Sequence, residues 1–229
     1  MRQLYHHTLS AGSRAIRLMM GEYELDLQLT EEQVWQRRDE FLTLNPANTL
    51  PVLVDGGEVI IGAQVIGEYL DETHGVLKRD RRLFPENPVE RAEMRRIIEW
   101  SLTKFEAEVV RYLVHERVTK RQMPSHTGGG APDSQAIRAA RANIKYHLKY
   151  FTWLASKNNW LAGERMTHAD LTVAASLSVL DYLGEIEWKE EPQLKDWYVR
   201  IKSRPTFRPL LADRVRGNPP VSHYVDLDF

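Results

Sequence analysis

The sequence predicts a small α/β unit followed by a larger all-helical one, ending in an extended tail. Three observations carry this. Over residues 1–75 short runs of alternating apolar residues take turns with runs of helical period. From Pro88 onward helical spacing dominates, and the final stretch RGNPPVSHYVDLDF carries two adjacent prolines that bar a helix. The implied bounds are 1–75 for the α/β unit, 76–87 for a charged linker, 88–212 for the helical unit and 213–229 for the tail.

RQLYHH is a short strand, followed by a helix over about 13–20 that Gly21 stops. In ELDLQL strict alternation puts Leu25, Leu27 and Leu29 on one face of a second strand. EEQVWQRRDEFLTL has helical spacing, with Val34, Trp35, Arg38, Phe41 and Leu42 as its landmarks. NPANTLPVLVDGGEVIIG gives two strands around a Gly-Gly turn, a hairpin signal. A helix to about His74 closes the unit, in the order β-α-β-α-β-β-α. Its first turn, Gly62, Ala63 and Gln64, offers neither a hydroxyl nor a carboxylate to the unpaired amides found at any helix start. In the second unit Asn87 is an N-cap with Pro88 at the first helical position. That helix runs to about Gln122, long enough to predict a kink. Another spans about 134–157, with Ile137, Ile144, Leu148, Phe151 and Leu154 on its buried face. A third begins at Thr167 and a fourth lies around 193–203.

With 229 residues the chain has ample length for a real core. A formal charge of −1 gives no general attraction to nucleic acid or to an anionic membrane. The absence of cysteine excludes disulfides, thiolate metal sites and a cysteine nucleophile, and fits a reducing cytoplasm. MRQLYHHTLS has no apolar run of signal-peptide length, and no stretch is long and apolar enough to predict a membrane span. His6 and His7, adjacent in a strand, face opposite sides and make a poor metal pair, so no metal is expected. Gly128-Gly129-Gly130 lacks the Lys-Ser/Thr of a phosphate loop. Arg138, Arg141, Lys145 and Lys149 line one helix face; without interleaved exposed aromatics this reads as a solvated face, or as an encounter surface for an acidic partner, before it reads as a nucleic-acid site.

The strand and helix order, with Leu50-Pro51 just before the third strand, resembles the thioredoxin-like domain of glutathione transferases. NWLAGERMTHADLTVAA is similar to that family's capping box and hydrophobic staple, with Thr167 as cap, Asp170 reaching back to it and Met166 as the staple. The resemblance implies an α/β thioredoxin-like N-terminal domain plus an all-α C-terminal domain, the glutathione transferase fold, over residues 1 to about 210. It implies a cis Leu50-Pro51 bond whose neighbouring backbone can pair with a peptide ligand. In the family an acidic residue followed by serine, at the start of the helix after strand four, holds the γ-glutamyl end of glutathione. The matching positions hold Gly62 and Ala63. At roughly 1.5–3 kcal/mol for each charged hydrogen bond, losing both weakens binding by about two to four powers of ten. The implied pocket of Ser10, Pro51, Gly62 and Ala63 is thus a degenerate glutathione site with no cofactor expected. Ser10 matches the hydroxyl that serine-type transferases use on the thiolate and is a vestigial catalytic candidate. Ser13 reads equally well as the N-cap of the first helix, and Tyr5 as a half-buried strand residue.

In an extended tail, Val225, Leu227 and Phe229 alternate with Asp226 and Asp228, and Tyr224 adds a further apolar group. This is the pattern of a segment that docks in a groove or along a sheet edge, or that packs on its own domain. YHLKYFTWLASKNNWLAGERMTHADL, LDYLGEIEW, KDWYVRIKSRPTFRPLLADRV and HYVDLDF together resemble the glutathione-transferase-like division proteins of alphaproteobacteria that bind the tubulin homologue FtsZ. That resemblance implies a non-catalytic, cytoplasmic adaptor at the midcell division site. It implies a homodimer that binds FtsZ filaments, promotes their curvature or bundling, and couples them to septal peptidoglycan synthases, with two filament contacts reinforcing one another. Partner contact is then expected at Tyr224, Val225, Asp226, Leu227, Asp228 and Phe229, at the old pocket, or at the basic face. An active glutathione transferase with a divergent site, relying on Ser10 and the Pro51 backbone, is the alternative.

Overall fold

The structure is a computed structural model and describes residues 1–227. The central strand β1 (Gln3–His6) pairs in parallel with β2 (Gln28–Glu31) and antiparallel with β3 (Val52–Asp55). β3 turns through Gly56 and Gly57, both at positive φ, into β4 (Glu58–Ile61), so the sheet order is β2-β1-β3-β4. Helices α1 (Ala11–Glu22) and α3 (Ala63–Thr73) pack together, while Phe41 of α2 (Asp39–Leu44) packs its ring 5.7 Å from that of Tyr5. The expected two-part architecture and strand order are present.

The helical unit opens with Asn87 accepting from the amides of Val89 and Glu90, as its capping sequence demands. The first helix, α4, is one unbroken rod over residues 88–122 that opens with Pro88–Glu99 and is wound in wide π-type turns over Trp100–Val110 and His115–Thr119. α5 (Ser134–Lys157) follows after a loop. Every residue of α6 (His168–Leu183) is buried, which requires neighbours on all sides. Its start is held by the predicted box: the Thr167 amide donates to Asp170 Oδ2 at 2.8 Å and the Ala169 amide to Thr167 Oγ1 at 3.3 Å. α7 (Pro192–Lys202) and the short α8 (Arg208–Leu211) complete the unit.

Several expected elements differ. α1 begins earlier than predicted because Ser10, not Ser13, is its N-cap, accepting from the Ser13 amide at 3.2 Å. Gly21 does not stop it; a Cβ there would come within 3.2 Å of Thr206, so glycine serves close packing. The reversal falls at Glu24, in the left-handed region at φ 58°, with the Leu25 amide bonded to Met20 O. The second strand consequently starts at Gln28; Leu25 and Leu27 pack on the core before it and Leu29 is exposed. The helix expected over 31–44 is interrupted by Arg37 at φ 50°, leaving a single 3-10 turn (Val34–Gln36) ahead of α2. The charged linker is a packed strap: Leu83 and Phe84 are buried, the Leu83 amide donates to the Tyr23 hydroxyl, and the Arg82 guanidinium holds Asp71 at 2.7 Å.

One apolar core runs through both units, and α1 meets α6 at the seam. There the fully buried Arg14 donates to Thr8 O at 2.7 Å, Ser178 Oγ at 2.7 Å and the Tyr224 hydroxyl at 3.1 Å, with Asp213 at 3.8 Å. Arg17 forks onto Asp213 at 2.8 and 2.9 Å. The tail therefore starts as a strap rather than a free extended arm. Residues 222–225 make a 3-10 turn, and Tyr224, expected on a docking face, is fully buried. Its ring lies edge-on to Tyr182 at 5.1 Å and its hydroxyl donates to Leu210 O at 3.1 Å, because a phenol buried at the seam must bond inward.

Removing the Arg14 side chain takes the donor from Thr8 O and from the Ser178 and Tyr224 hydroxyls and leaves a cavity at the seam, while Asp213 keeps its fork from Arg17. Arg14→Ala is expected to cost about 3–5 kcal/mol in a denaturant titration, and Tyr224→Phe, which keeps the ring, about 1–2 kcal/mol.

Candidate functional site

Where α1, the loop before β3, α3 and α4 converge, a cleft of about 340 Å³ opens between the two units. Ser10 and Gly12 come from the start of α1 and Leu50 from the residue before Pro51; Gly62, Ala63, Gln64 and Val65 form the start of α3, and Leu102, Thr103 and Glu106 come from α4. Ser10, Gly62 and Ala63 thus line one cleft. Pro51 stands behind Leu50, in a cis peptide bond, and its carbonyl accepts the Gly62 amide at 3.0 Å.

Gly62 is the N-cap of α3, with no side-chain cap and no acid in the first turn. Its φ of 91° lies where L side chains are strained, so glycine suits the backbone while contributing no grip. The uncapped amides at this helix start leave partial positive charge facing the cleft. Ser10 already accepts the Ser13 amide, but a hydroxyl accepting one bond still has its proton to donate. Ser13 is fully buried, away from the cleft, with no partner for its Oγ. Tyr5 is half-buried against Phe41 and is not among the cleft-lining residues.

Glu106 is the group that sequence reasoning missed. The residue is half-buried, yet its Oε2 is shut off from water and has no hydrogen-bond partner. Burial raises its pKa from 4.5 to about 7, against a weaker downward pull from Arg111. Nothing in the sequence separates it from the neighbouring Glu99 and Glu108, which lie on the same rod and are paired with Gln64 and with Lys104 and His147. Burial pushes His6 and His7 down to about 4, so both rings are neutral near pH 7. Among the described residues no three His, Cys, Asp or Glu side chains gather as a metal site.

The basic face is present as a row but is partly neutralised. Arg138, Arg141, Lys145 and Lys149 are all exposed on α5, and Arg141 forks onto Glu185 at 2.7 and 2.9 Å. A concavity beside it brings Glu187, Glu190 and Glu191 next to Lys145. Contrary to the sequence reading, aromatic residues do interleave on α5, with Tyr146 56% and Trp153 48% exposed. In the tail Val225, Asp226 and Leu227 are exposed, whereas Asp228 and Phe229 lie outside the described residues. Among the described residues no helix is long and apolar enough to cross a membrane.

The family model for the glutathione S-transferase N-terminal domain matches residues 4–81, and that for the C-terminal domain matches residues 131–225. FtsZ-localized protein A of Caulobacter vibrioides is 41% identical over 232 residues, covering 100% of this chain and 98% of that protein. The chain belongs to the glutathione transferase family. A crystal structure described as a glutathione S-transferase from Sinorhizobium meliloti superposes with a TM-score of 0.99 at 58% identity, over 100% of both chains. The structure of FzlA from C. crescentus superposes with a TM-score of 0.92 at 41% identity, over 100% of this chain and 99% of that one.

The raised Glu106 pKa has a definite sign in stability. Between about pH 4.5 and 7 the folded chain holds a proton that the unfolded chain has released, so this group's contribution falls as pH rises through that window. Glu106→Gln is therefore expected to melt above the unaltered chain at about pH 8, with the gap closing by about pH 5, as read by thermal denaturation across pH.

Proposed function

We propose that this chain is a cell-division protein that binds FtsZ filaments on a transferase scaffold and does not turn over glutathione. The observation that carries this is the end-to-end identity of 41% with FtsZ-localized protein A, tail included. The cleft agrees with it: Gly62 and Ala63 supply neither the ammonium contact nor the hydroxyl contact that a γ-glutamyl group needs. The protein acts at the midcell division site in the cytoplasm and has no resident cofactor. It works as a homodimer whose two filament contacts promote curvature or bundling, the second forming at high effective concentration. Through the filaments it is coupled to the septal peptidoglycan synthases.

Partner contact is assigned to the exposed end of the tail, Val225, Asp226 and Leu227 with the residues beyond, while Tyr224 anchors the tail to the core. Arg138, Lys145 and Lys149 serve first encounter with an acidic filament surface, and Arg141 less so because Glu185 holds it.

A second reading is an active glutathione transferase. It is favoured by the 58% identity with the Sinorhizobium meliloti structure described by that activity and by the free proton of Ser10 at the cleft. Two measurements separate the readings. Co-sedimentation with FtsZ polymer, with no retention on glutathione-agarose, is expected for the first. Retention followed by thiol conjugation that disappears in Ser10→Ala, with no co-sedimentation, would replace it with the second.

A further inference from the structure

Glu106 is the one ionisable side chain among the described residues that line the cleft. No described cation forms an ion pair with it. Lys104, on its own rod, is paired with Glu108. Arg111, further along the same rod, acts on it only at longer range. From α1 it faces Ser10 and Gly12, from the loop before β3 Leu50, and from α3 the start of the helix with Gln64, whose amide is turned to Glu99. None of these carries a charge. Its place on the rod is within the π-wound stretch Trp100–Val110, a winding that recurs where a side chain is re-aimed for function.

Two opposite fields meet in this space. The uncapped start of α3 amounts to about half a positive charge and would welcome an anion. A carboxylate whose Oε2 is closed off from water and unpartnered is a full negative charge with little screening. Once ionised, it sets a full negative charge against that half charge. A ligand bearing carboxylates or a thiolate must then desolvate against it, whereas a neutral or cationic ligand need not.

We propose that Glu106 is the specificity-determining residue of the interdomain cleft: its unpaired carboxylate turns away thiolates and other anionic ligands and leaves the cleft to uncharged or cationic ones. This rests on the reading that the cleft no longer serves glutathione, and it adds a second cause beyond the missing acid and serine. Protonation of Glu106 removes the barrier, so anion affinity falls as pH rises through the range where the carboxyl ionises.

The test is calorimetric titration of S-methylglutathione, an anionic peptide whose sulfur cannot ionise, into the full chain at about pH 6 and about pH 8. If only the protonated form admits the peptide, a carboxyl that titrates near 7 gives the unaltered chain about a tenfold loss of affinity between the two. Glu106→Gln is expected to bind at the higher pH about tenfold more tightly than the unaltered chain and to show no pH dependence. Equal affinities of variant and unaltered chain at about pH 8, or no binding by either at both pH values, would overturn the proposal, since some other feature would then be closing the cleft. Should the variant not fold, a flat pH profile in the unaltered chain overturns it alone. Co-sedimentation of the unaltered chain with FtsZ reads the functional assignment separately.

Discussion

The arrangement of both units depends on one guanidinium with no access to water. Arg14 leaves α1 and ends among a carbonyl from the loop before it, a hydroxyl of α6 and a phenol of the tail, with the Asp213 carboxylate nearby. A buried cation is tolerated only where such partners surround it. It therefore dictates that α1 lie on α6 and that residues 213–225 close over the seam. α1 in turn carries Ser10 and Gly12 to the cleft, so the geometry of a surface feature is set by a charge in the interior.

The cleft shows what happens when structural duties and chemical ones compete for the same atoms. Ser10 caps α1, and the Pro51 carbonyl takes the Gly62 amide. What remains available is a hydroxyl proton, uncapped amides on α3 and an unpaired carboxyl on α4. These pull an anionic ligand in different directions, the uncapped amides toward the cleft and the carboxyl, once ionised, away from it.

Most of the architecture was legible because periodicity and capping are local. Asn87-Pro88, the Thr167–Asp170 box and the Gly-Gly hairpin each announce themselves within a few residues, and each is present. The errors fall where a distant contact overrides a local signal. Gly21 reads as a stop but is small for the sake of Thr206, far along the chain. Arg37 and Glu24 adopt left-handed backbone that their residue types do not advertise. At the cleft, Gly62 and Ala63 were readable as departures from a pattern, whereas Glu106 was not. Its character comes from burial without a partner, and only the packing of α4 against the other unit decides which glutamate of several suffers that. Tyr224 follows the same logic, since an aromatic residue in a polar tail fits a partner's groove or its own core until the partners of its hydroxyl are known.

The conformation at residue 62 bears on how such a scaffold changes its trade. With φ at 91°, any L side chain there would hold local strain, in the range of about 1–2 kcal/mol, which contact with a bound molecule could offset. Where no bound molecule supplies that contact, glycine is the relaxed choice, and a carboxylate introduced there must bear the distortion alone. The backbone at this point therefore disfavours a gripping side chain unless a ligand offsets its strain.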